Sequence, residues 1–208
     1  MNLTMSRRNK ISLTTKSMCQ RDLRQELIKA GLEILSESGL KGLTLRKVAA
    51  HVGVSHAAPA HHFSGLPEIL GAICAAGFED LTCYMVSRKE EASDTPRARL
   101  VAICDAYVDF AVHNPDLIQL MFNASPEKVD DAPLAKPAAA AYNELHIACL
   151  PFEPIGDTPD STETLVWSLV HGLALLRIGG RFDNPSRETA NPKFCDVLPE
   201  LSLRHTEN

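Results

Sequence analysis

The chain has 208 residues, enough for one domain of ordinary size or for a small domain joined to a larger one. Its composition, 45% hydrophobic and 23% charged, is typical of globular proteins, and no apolar run approaches the roughly 20 residues of a membrane span, which argues against a membrane protein. The net charge of −5 is distributed unevenly along the chain. Residues 1–63 hold 10 Lys and Arg against 4 Asp and Glu, whereas residues 64–208 hold 11 against 22. A basic N-terminal segment favours a polyanion such as nucleic acid, which the acidic remainder would repel.

The first 18 residues are basic and lack the apolar core of a secretory signal. We expect residues 1–18 to form a flexible basic arm, and we expect no export. The six cysteines of the chain are scattered without a CxxC pair, and most lie among apolar neighbours. This pattern favours buried, reduced thiols over disulfides or a metal site.

Three helices are predicted after the arm. The first begins near Arg21 and stops at Gly39, because apolar residues recur there at steps of three and four. The second has Thr44 as its N-cap and ends at Gly53. The third lies within "VSHAAPAHHF", where Pro59 is tolerated only near the first turn, so its start is left open between Ser55 and Ala57 or Ala58. Two short helices joined by a glycine-containing turn and braced by a longer helix indicate a helix-turn-helix.

The rest of the chain is also predicted to be helical, and no run of alternating residues indicates a sheet. The predicted helices cover Pro67 to about Lys89, Arg97 to Asn114, the stretch "PDLIQLMFN", a segment from near Leu134, the segment "TETLVWSLVHGLALLRI" ending at Gly179, and about Lys193 to Arg204. We therefore predict an all-α fold. Its domains are a helix-turn-helix domain over residues 19–80 and a larger helical domain over residues 81–208.

The stretch from Gly53 to Phe63 contains three histidines, which raises the question of a metal or catalytic site. Two ligands on one helix must stand three or four residues apart to share a face, and the spacings from His51 to His56, His61 and His62 fail that test. No acid or oxyanion loop accompanies Ser55. We predict no metal site and no catalytic residue, and contact with DNA explains the composition better, because short and polar side chains allow close approach to base edges.

At this point a family resemblance is evident. The stretch "GLTLRKVAAHVGVSHAAPAHHFSGLPEILGAI" resembles the N-terminal DNA-binding domain of TetR-family transcriptional regulators over about residues 21–80. The resemblance implies that DNA is contacted by residues of the second helix, the turn and the third helix: Thr44, Arg46, Lys47, Ser55, His56, Ala57, Ala60, His61 and His62. Phe63 is expected in the core. Ala60 and Leu66 stand where many family members carry Tyr and Lys, so DNA affinity is expected to depend more on the arm and on Arg46.

The family's C-terminal helical domain binds an effector and forms a homodimer, and the resemblance implies the same here. "VWSLVHGLALL" resembles the Trp-His-Gly signature of one regulator subgroup, with Trp167, His171 and Gly172 in those positions. Gly172 within a helix suggests that another helix approaches closely. The predicted effector pocket comprises Cys104, Tyr107, Phe110, Ala111, Met121, Phe122, Tyr142, His146, Trp167 and His171.

The resemblance implies a cytoplasmic repressor that leaves a near-palindromic DNA operator when a small molecule binds. No cofactor and no enzymatic activity are expected. The alternative is a helical small-molecule-binding protein or enzyme in which the N-terminal bundle is only structural, and it lacks support because no motif joins the histidines and carboxylates of the larger domain. The effector, the operator sequence and the choice between repression and activation are not encoded in any recognisable pattern.

Overall fold

The computed structural model describes the backbone of residues 9–123, 132–183 and 191–204, and the side chains of residues 23–122, 134–183 and 191–204. The chain divides into two compact units, residues 1–73 and 74–208. Within the described ranges the secondary structure is helical, apart from one isolated antiparallel bridge between Phe152 and Leu203. The predicted all-α fold is confirmed.

The helices follow the predicted order. Their bounds are α1 Asn9–Gly42, α2 Leu45–Val52, a 3₁₀ helix Ala58–His61, α3 Leu66–Glu91, α4 Pro96–His113, α5 Pro115–Asn123, α6 Ala132–Cys149, α7 Ser161–Ile178 and α8 Phe194–Val197. The boundary between the two units falls within α3, between Ile73 and Cys74.

Helix α1 begins earlier than predicted, and a further short turn follows its predicted end. It begins at Asn9, so residues 9–18 of the expected flexible arm are helical, and no Gly or Pro interrupts the chain from there to Ala30. Residues 1–8 lie outside the described part. Near the other end, Gly39 has a φ of 64°, which breaks the helix as predicted, and the following residues form a further short turn up to Gly42.

The first unit closes around apolar side chains of α1, α2 and the start of α3. The fully or almost fully buried members include Leu27, Leu35, Val48, Ala49, Phe63, Ile69 and Ile73. Two contacts add to this apolar packing: Nε2 of His51 lies 2.8 Å from Oε2 of Glu33 and links α2 to α1, and the Arg24 guanidinium lies 5.0 Å from the centroid of the Phe63 ring. Phe63 belongs to the core, as expected.

The second unit is organised around α4, which packs against α5, α6, α7 and α8. Both α4 and α7 bury one side of their surface, with Leu100, Ile103, Val166 and Val170 almost fully inaccessible. Cys104 and Cys149 are buried as the sequence indicated, whereas Cys83 and Cys195 are exposed.

The C-terminal segment was predicted to be helical to Arg204, and this prediction is wrong. The helix α8 is a single turn, and the chain beyond it is extended alongside the loop after α6. The Glu153 amide donates to the Ser202 carbonyl and the Arg204 amide donates to the Pro151 carbonyl, each at 2.8 Å. Pro199 is unfavourable within a helix because it has no amide to donate. The two hydrogen bonds instead pair polar groups of the extended backbone.

Helix α3 is the one helix in the described ranges that is long and apolar enough to cross a membrane, with a mean hydropathy of 1.5 over its most apolar window. Its apolar residues include Ile69, Ile73, Phe78, Leu81 and Met85, which are all buried within the molecule. A core helix of a globular protein has this pattern, so its composition requires no membrane.

Candidate nucleic-acid interface and ligand cavity

Helix α2 begins at a formed N-cap. The Thr44 hydroxyl accepts a hydrogen bond from the Lys47 amide at 3.2 Å, which satisfies one of the free amides of the first turn, as predicted. Val48 and Ala49 are buried on one side of the helix, and Thr44, Arg46 and Lys47 are exposed on the other. Among the described side chains, none forms an ion pair with Arg46 or Lys47 within 4.0 Å. Both cations are therefore available to an external anion.

The turn after α2 depends on Gly53, which has a φ of 78° and a ψ of 25°. Its amide donates to the Ala50 carbonyl at 3.1 Å, and the Val54 amide donates to the Ala49 carbonyl at 3.0 Å. This left-handed conformation is readily adopted by glycine and strained for residues with a Cβ. Gly53 therefore sets the direction in which the chain enters the third helix.

The third helix is shorter and tighter than predicted: it is a 3₁₀ helix over Ala58–His61 rather than an α-helix. Pro59 has no amide, so the α-helical bond to the Ser55 carbonyl cannot form. That carbonyl instead accepts from the Ala58 amide at 2.9 Å. Pro59 lies in the first turn, so the structure has the later of the two starts that the sequence left open.

The segment from Ser55 to His62 turns almost all of its side chains outward. Exposed residues are Ser55, His56, Ala57, Ala60 and His61, and His62 is half-buried. Pro59 is buried and Phe63 is only 2% exposed, so these two anchor the segment to the core of the unit. The Ser64 amide donates to Oε2 of Glu68 at 2.6 Å, and this bond lowers the pKa of Glu68. The fold thus holds the nine predicted DNA-contacting residues, from Thr44 to His62, at the surface of α2, the turn and the 3₁₀ helix.

Among the described residues, no group of three or more His, Cys, Asp or Glu side chains is arranged to hold a metal ion. His51, the histidine that precedes the segment, instead pairs with Glu33.

The second unit contains a cavity of about 460 Å³. Its wall is formed by residues of α3, α4, α5, α6 and α7: Phe78, Leu81, Met85, Ile103, Cys104, Tyr107, Met121, Phe122, Ala138, Ala139, Ala141, Tyr142, Leu145, Trp167 and Val170. This volume lies within the range of about 300–1,000 Å³ that is usual for small-molecule sites.

Six of the ten predicted pocket residues belong to this wall: Cys104, Tyr107, Met121, Phe122, Tyr142 and Trp167. Of the other four, Ala111 is buried elsewhere and Phe110 is half-buried. His146 bonds through Nδ1 to Oε2 of Glu163 at 2.6 Å, and His171 contacts the hydroxyl of the wall residue Tyr107.

The α3 contribution to the wall was missed by sequence reasoning. Phe78, Leu81 and Met85 follow helical spacing, but the same spacing describes residues that only fill a core. Nothing in the sequence around Ala138, Ala139 and Ala141 of α6 indicated that these small residues line a cavity. A pocket wall made of apolar stripes is distinguishable from a core only when the helices are assembled.

Aromatic contacts organise the cavity. The Phe122 ring lies 5.9 Å from Phe78, 6.4 Å from Tyr107 and 4.7 Å from His171, measured between ring centroids. Tyr142 and Trp167 form a separate edge-to-face pair at 5.3 Å. Trp167 and His171, which share a helical face in the sequence, therefore pack against different partners.

Burial or hydrogen bonding shifts the pKa values of the polar groups near the cavity further toward the neutral form. The Tyr107 hydroxyl lies 2.7 Å from Nδ1 of His171, and burial raises the pKa of Tyr107 and lowers that of His171. Burial also raises the pKa of the Cys104 thiol. Hydrogen bonding to the Glu163 carboxylate raises the pKa of Tyr142 to about 12. Each of these groups is thus in its neutral form at pH 7.

Comparison with protein families matches both units of the chain. A sequence model described as "Bacterial regulatory proteins, tetR family" matches residues 27–73, and one described as "Tetracyclin repressor-like, C-terminal domain" matches residues 100–193. The chain belongs to the TetR family. The first matched region contains the TetR-family helix-turn-helix described above, and the second contains much of the cavity wall.

Curated relatives resemble this TetR-family chain over part of its length. The HTH-type transcriptional regulator BetI of Burkholderia mallei (strain NCTC 10229) is 37% identical over 86 residues, which is 41% of this chain and 44% of that relative. BetI 2 of Chromohalobacter salexigens is 34% identical over 87 residues, or 41% and 42% of the two chains. The matched part spans less than half the length of these relatives.

Solved structures of similar fold cover more of the TetR-family chain. A protein of unknown function from Rhodococcus sp. RHA1 has a TM-score of 0.71 and 28% identity, and the match covers 84% of this chain and 91% of that one. A TetR family transcription regulator from Marinobacter aquaeolei VT8 has a TM-score of 0.60 and 17% identity, with coverage of 89% and 99%. The second similarity concerns the fold alone.

Proposed function

We propose that this protein is a DNA-binding transcriptional regulator, and that it acts as a homodimeric repressor released from its operator by a small molecule. The observation that carries the proposal is the outward-facing, basic helix-turn-helix of the first unit. Arg46 and Lys47 are exposed on α2, and a segment of short and polar side chains follows the Gly53 turn. Membership of the TetR family supports the same function.

Residues of the interface would have different roles on DNA. Arg46 and Lys47 are suited to phosphates, since a guanidinium and an ammonium neutralise backbone charge. Ser55, His56 and Ala57 lead into the major groove, where short side chains let the backbone approach base edges. His61 and His62 approach phosphates, and Thr44 and Ala60 complete the contact. Affinity that depends on phosphates falls with salt.

The proposed dimer interface is the outer face of α6 and α7. Four large apolar residues on or next to these helices do not line the cavity and are exposed in the single chain: Ile147, Leu150, Leu175 and Leu176. Exposed large apolar residues on two neighbouring helices are typical of a protein interface. A dimer would carry two recognition segments, and these fit a near-palindromic operator whose half-sites are about 34 Å apart.

Release by a small molecule is supported by the cavity of the second unit. An effector lowers operator affinity when it binds better to a conformation in which the two recognition segments no longer match the half-sites. Trp167, His171 and Gly172 support a place in the Trp-His-Gly subgroup of the family. We propose a cytoplasmic location and no cofactor, no membrane partner and no enzymatic activity.

The test is gel-shift titration of the purified full chain against duplexes that tile its own promoter region, at low and at moderate salt. We expect a retarded complex on one duplex that weakens as salt rises. A protein that retards no duplex even at low salt would support the alternative, a helical small-molecule-binding protein or enzyme whose N-terminal bundle is only structural.

A further inference from the structure

The wall of the cavity carries no formal charge among the residues whose side chains the structure describes. Its members are apolar or aromatic, with the exception of neutral polar atoms on Cys104, Tyr107, Tyr142 and Trp167. Glu163 of α7 is not part of the wall: it is 7% exposed, and its carboxylate bonds to His146 and to the wall residue Tyr142. A ligand inside the cavity would therefore meet apolar surface and a few neutral hydrogen-bonding groups.

A charged ligand would lose hydration in this cavity without gaining an ionic partner from the described wall. Moving an ion out of water is costly even after the protein relaxes. Attraction between a cation and aromatic rings returns only part of this cost. The loss exceeds the return, so the aromatic rings do not by themselves make this cavity a cation site.

An uncharged, apolar ligand has the opposite balance. Its binding free energy becomes more favourable as it buries more apolar surface, and the rings of Phe78, Phe122 and Trp167 offer large flat contact areas. The Tyr107 hydroxyl, paired with His171, is a neutral group that can orient one polar atom of the ligand.

We infer that the effector of this protein is an uncharged, predominantly apolar molecule that binds among the aromatic residues of the 460 Å³ cavity. That the bound molecule acts as an effector rests on the proposed function. The binding site and its preference for neutral molecules can be tested without DNA.

The test uses the full chain and the neutral fluorescent probe N-phenyl-1-naphthylamine, whose emission rises in apolar surroundings. Three competitors share one naphthalene ring and differ in charge: 1-naphthalenemethanol is neutral, 1-naphthoate is an anion and (1-naphthylmethyl)trimethylammonium is a cation. We expect the probe to bind and the neutral alcohol to displace it. Both ions should compete at least about tenfold more weakly, because neither finds a partner charge.

A matched pair of variants assigns binding to the cavity. Ala138 lines the cavity, whereas Ala135 is an exposed residue of the same helix that does not. Ala138→Phe fills part of the space and should weaken probe binding at least about tenfold, and Ala135→Phe should leave it unchanged. Circular dichroism of both variants checks that the fold is retained.

Three results would overturn the inference. They are displacement by either ion at concentrations equal to those of the neutral alcohol, an equal effect of the two Phe variants, and no binding of the probe or of the alcohol in either fluorescence or thermal-shift measurements. A gel shift on promoter DNA without any probe tests the proposed function separately. Operator binding without probe binding would overturn only the inference, and probe binding without operator binding would overturn only the regulatory function.

Discussion

The Tyr107 hydroxyl of α4 lies 2.7 Å from Nδ1 of His171 on α7 and joins the two most extensively packed helices of the second unit. Tyr107 is 7% exposed, and its ring lies edge-to-face against that of His171. Burial lowers the pKa of His171, so the imidazole is neutral in the folded protein at pH 7.

This lowered pKa makes stability sensitive to acid. Below about pH 6.5, His171 is protonated in the unfolded chain but remains neutral in the folded protein. The free energy of unfolding therefore falls as the pH decreases, until the pH reaches the lowered pKa of the folded protein. Above pH 6.5 this contribution is fully present. We expect His171→Gln, which keeps an acceptor for Tyr107, to lose less stability than the natural protein between about pH 8 and about pH 5 in urea unfolding.

His56→Gln is the matched control, because it removes a histidine from the exposed surface of the first unit. Its pH dependence is the reference for the loss of an exposed histidine. An equal pH dependence in the natural protein and in His171→Gln would show that His171 titrates normally when folded.

Arg46→Ala should weaken operator binding and reduce its salt dependence. If Arg46 contacts a phosphate, its removal lowers the slope of log affinity against log salt by about 1 and weakens binding to all sequences alike. Lys29→Ala removes the same charge from an exposed site on α1, where Lys29 pairs only loosely with Glu33 at 4.0 Å. The slope should not change in that variant. If the natural protein, Arg46→Ala and Lys29→Ala all have the same slope of log affinity against log salt, Arg46 does not contact a phosphate.

Gly53→Ala should destabilise the protein through backbone strain alone. A Cβ at position 53 meets no atom within 4 Å, but the φ of 78° is unfavourable for alanine by about 1–2 kcal/mol. Asn tolerates this conformation better, so Gly53→Asn should cost less than Gly53→Ala in urea unfolding. If alanine is tolerated without loss, the turn adopts another conformation.

Gly172→Ala makes the same chemical change with the opposite expected effect. The sequence suggested close approach of another helix at Gly172, yet within the described chain no atom lies within 4 Å of a Cβ built there. In a helix interior, alanine is favoured over glycine by about 1 kcal/mol, so the variant should unfold at higher urea. If the proposed dimer packs closely at Gly172, the same variant also dissociates more readily, which sedimentation velocity measures.

Ile147→Glu tests the proposed dimer face directly. Ile147 is 47% exposed on α6, and a carboxylate buried there in a dimer would lack a partner, so we expect the dimer dissociation constant to rise at least about tenfold. Leu40→Glu is the control, because Leu40 is 49% exposed but lies in the first unit. Similar dissociation constants for the natural protein and for Ile147→Glu would exclude this face as the interface.

Most of the helices were predictable from local signals in the chain. Thr44 and Gly53 set the two ends of α2 through a cap and a left-handed turn, and both features depend on residues close in sequence. Predictions from local signals were wrong where contacts with residues distant in the sequence determine the backbone conformation. The residues up to Arg204 have helical spacing but are extended, because the loop at Pro151 and Glu153 offers backbone hydrogen bonds to them.

Periodicity, caps and charge act over a few residues, so the all-helical class, the order of the elements and the exposed basic residues on α2 could be predicted from the amino-acid sequence. The assembled structure was needed to show that the segment around Pro59 is a 3₁₀ helix with outward-facing side chains, and that Trp167 pairs with Tyr142 while His171 pairs with Tyr107. It also decided which apolar stripes enclose space rather than fill it. A cavity is the volume left between assembled helices, so no single helix encodes it.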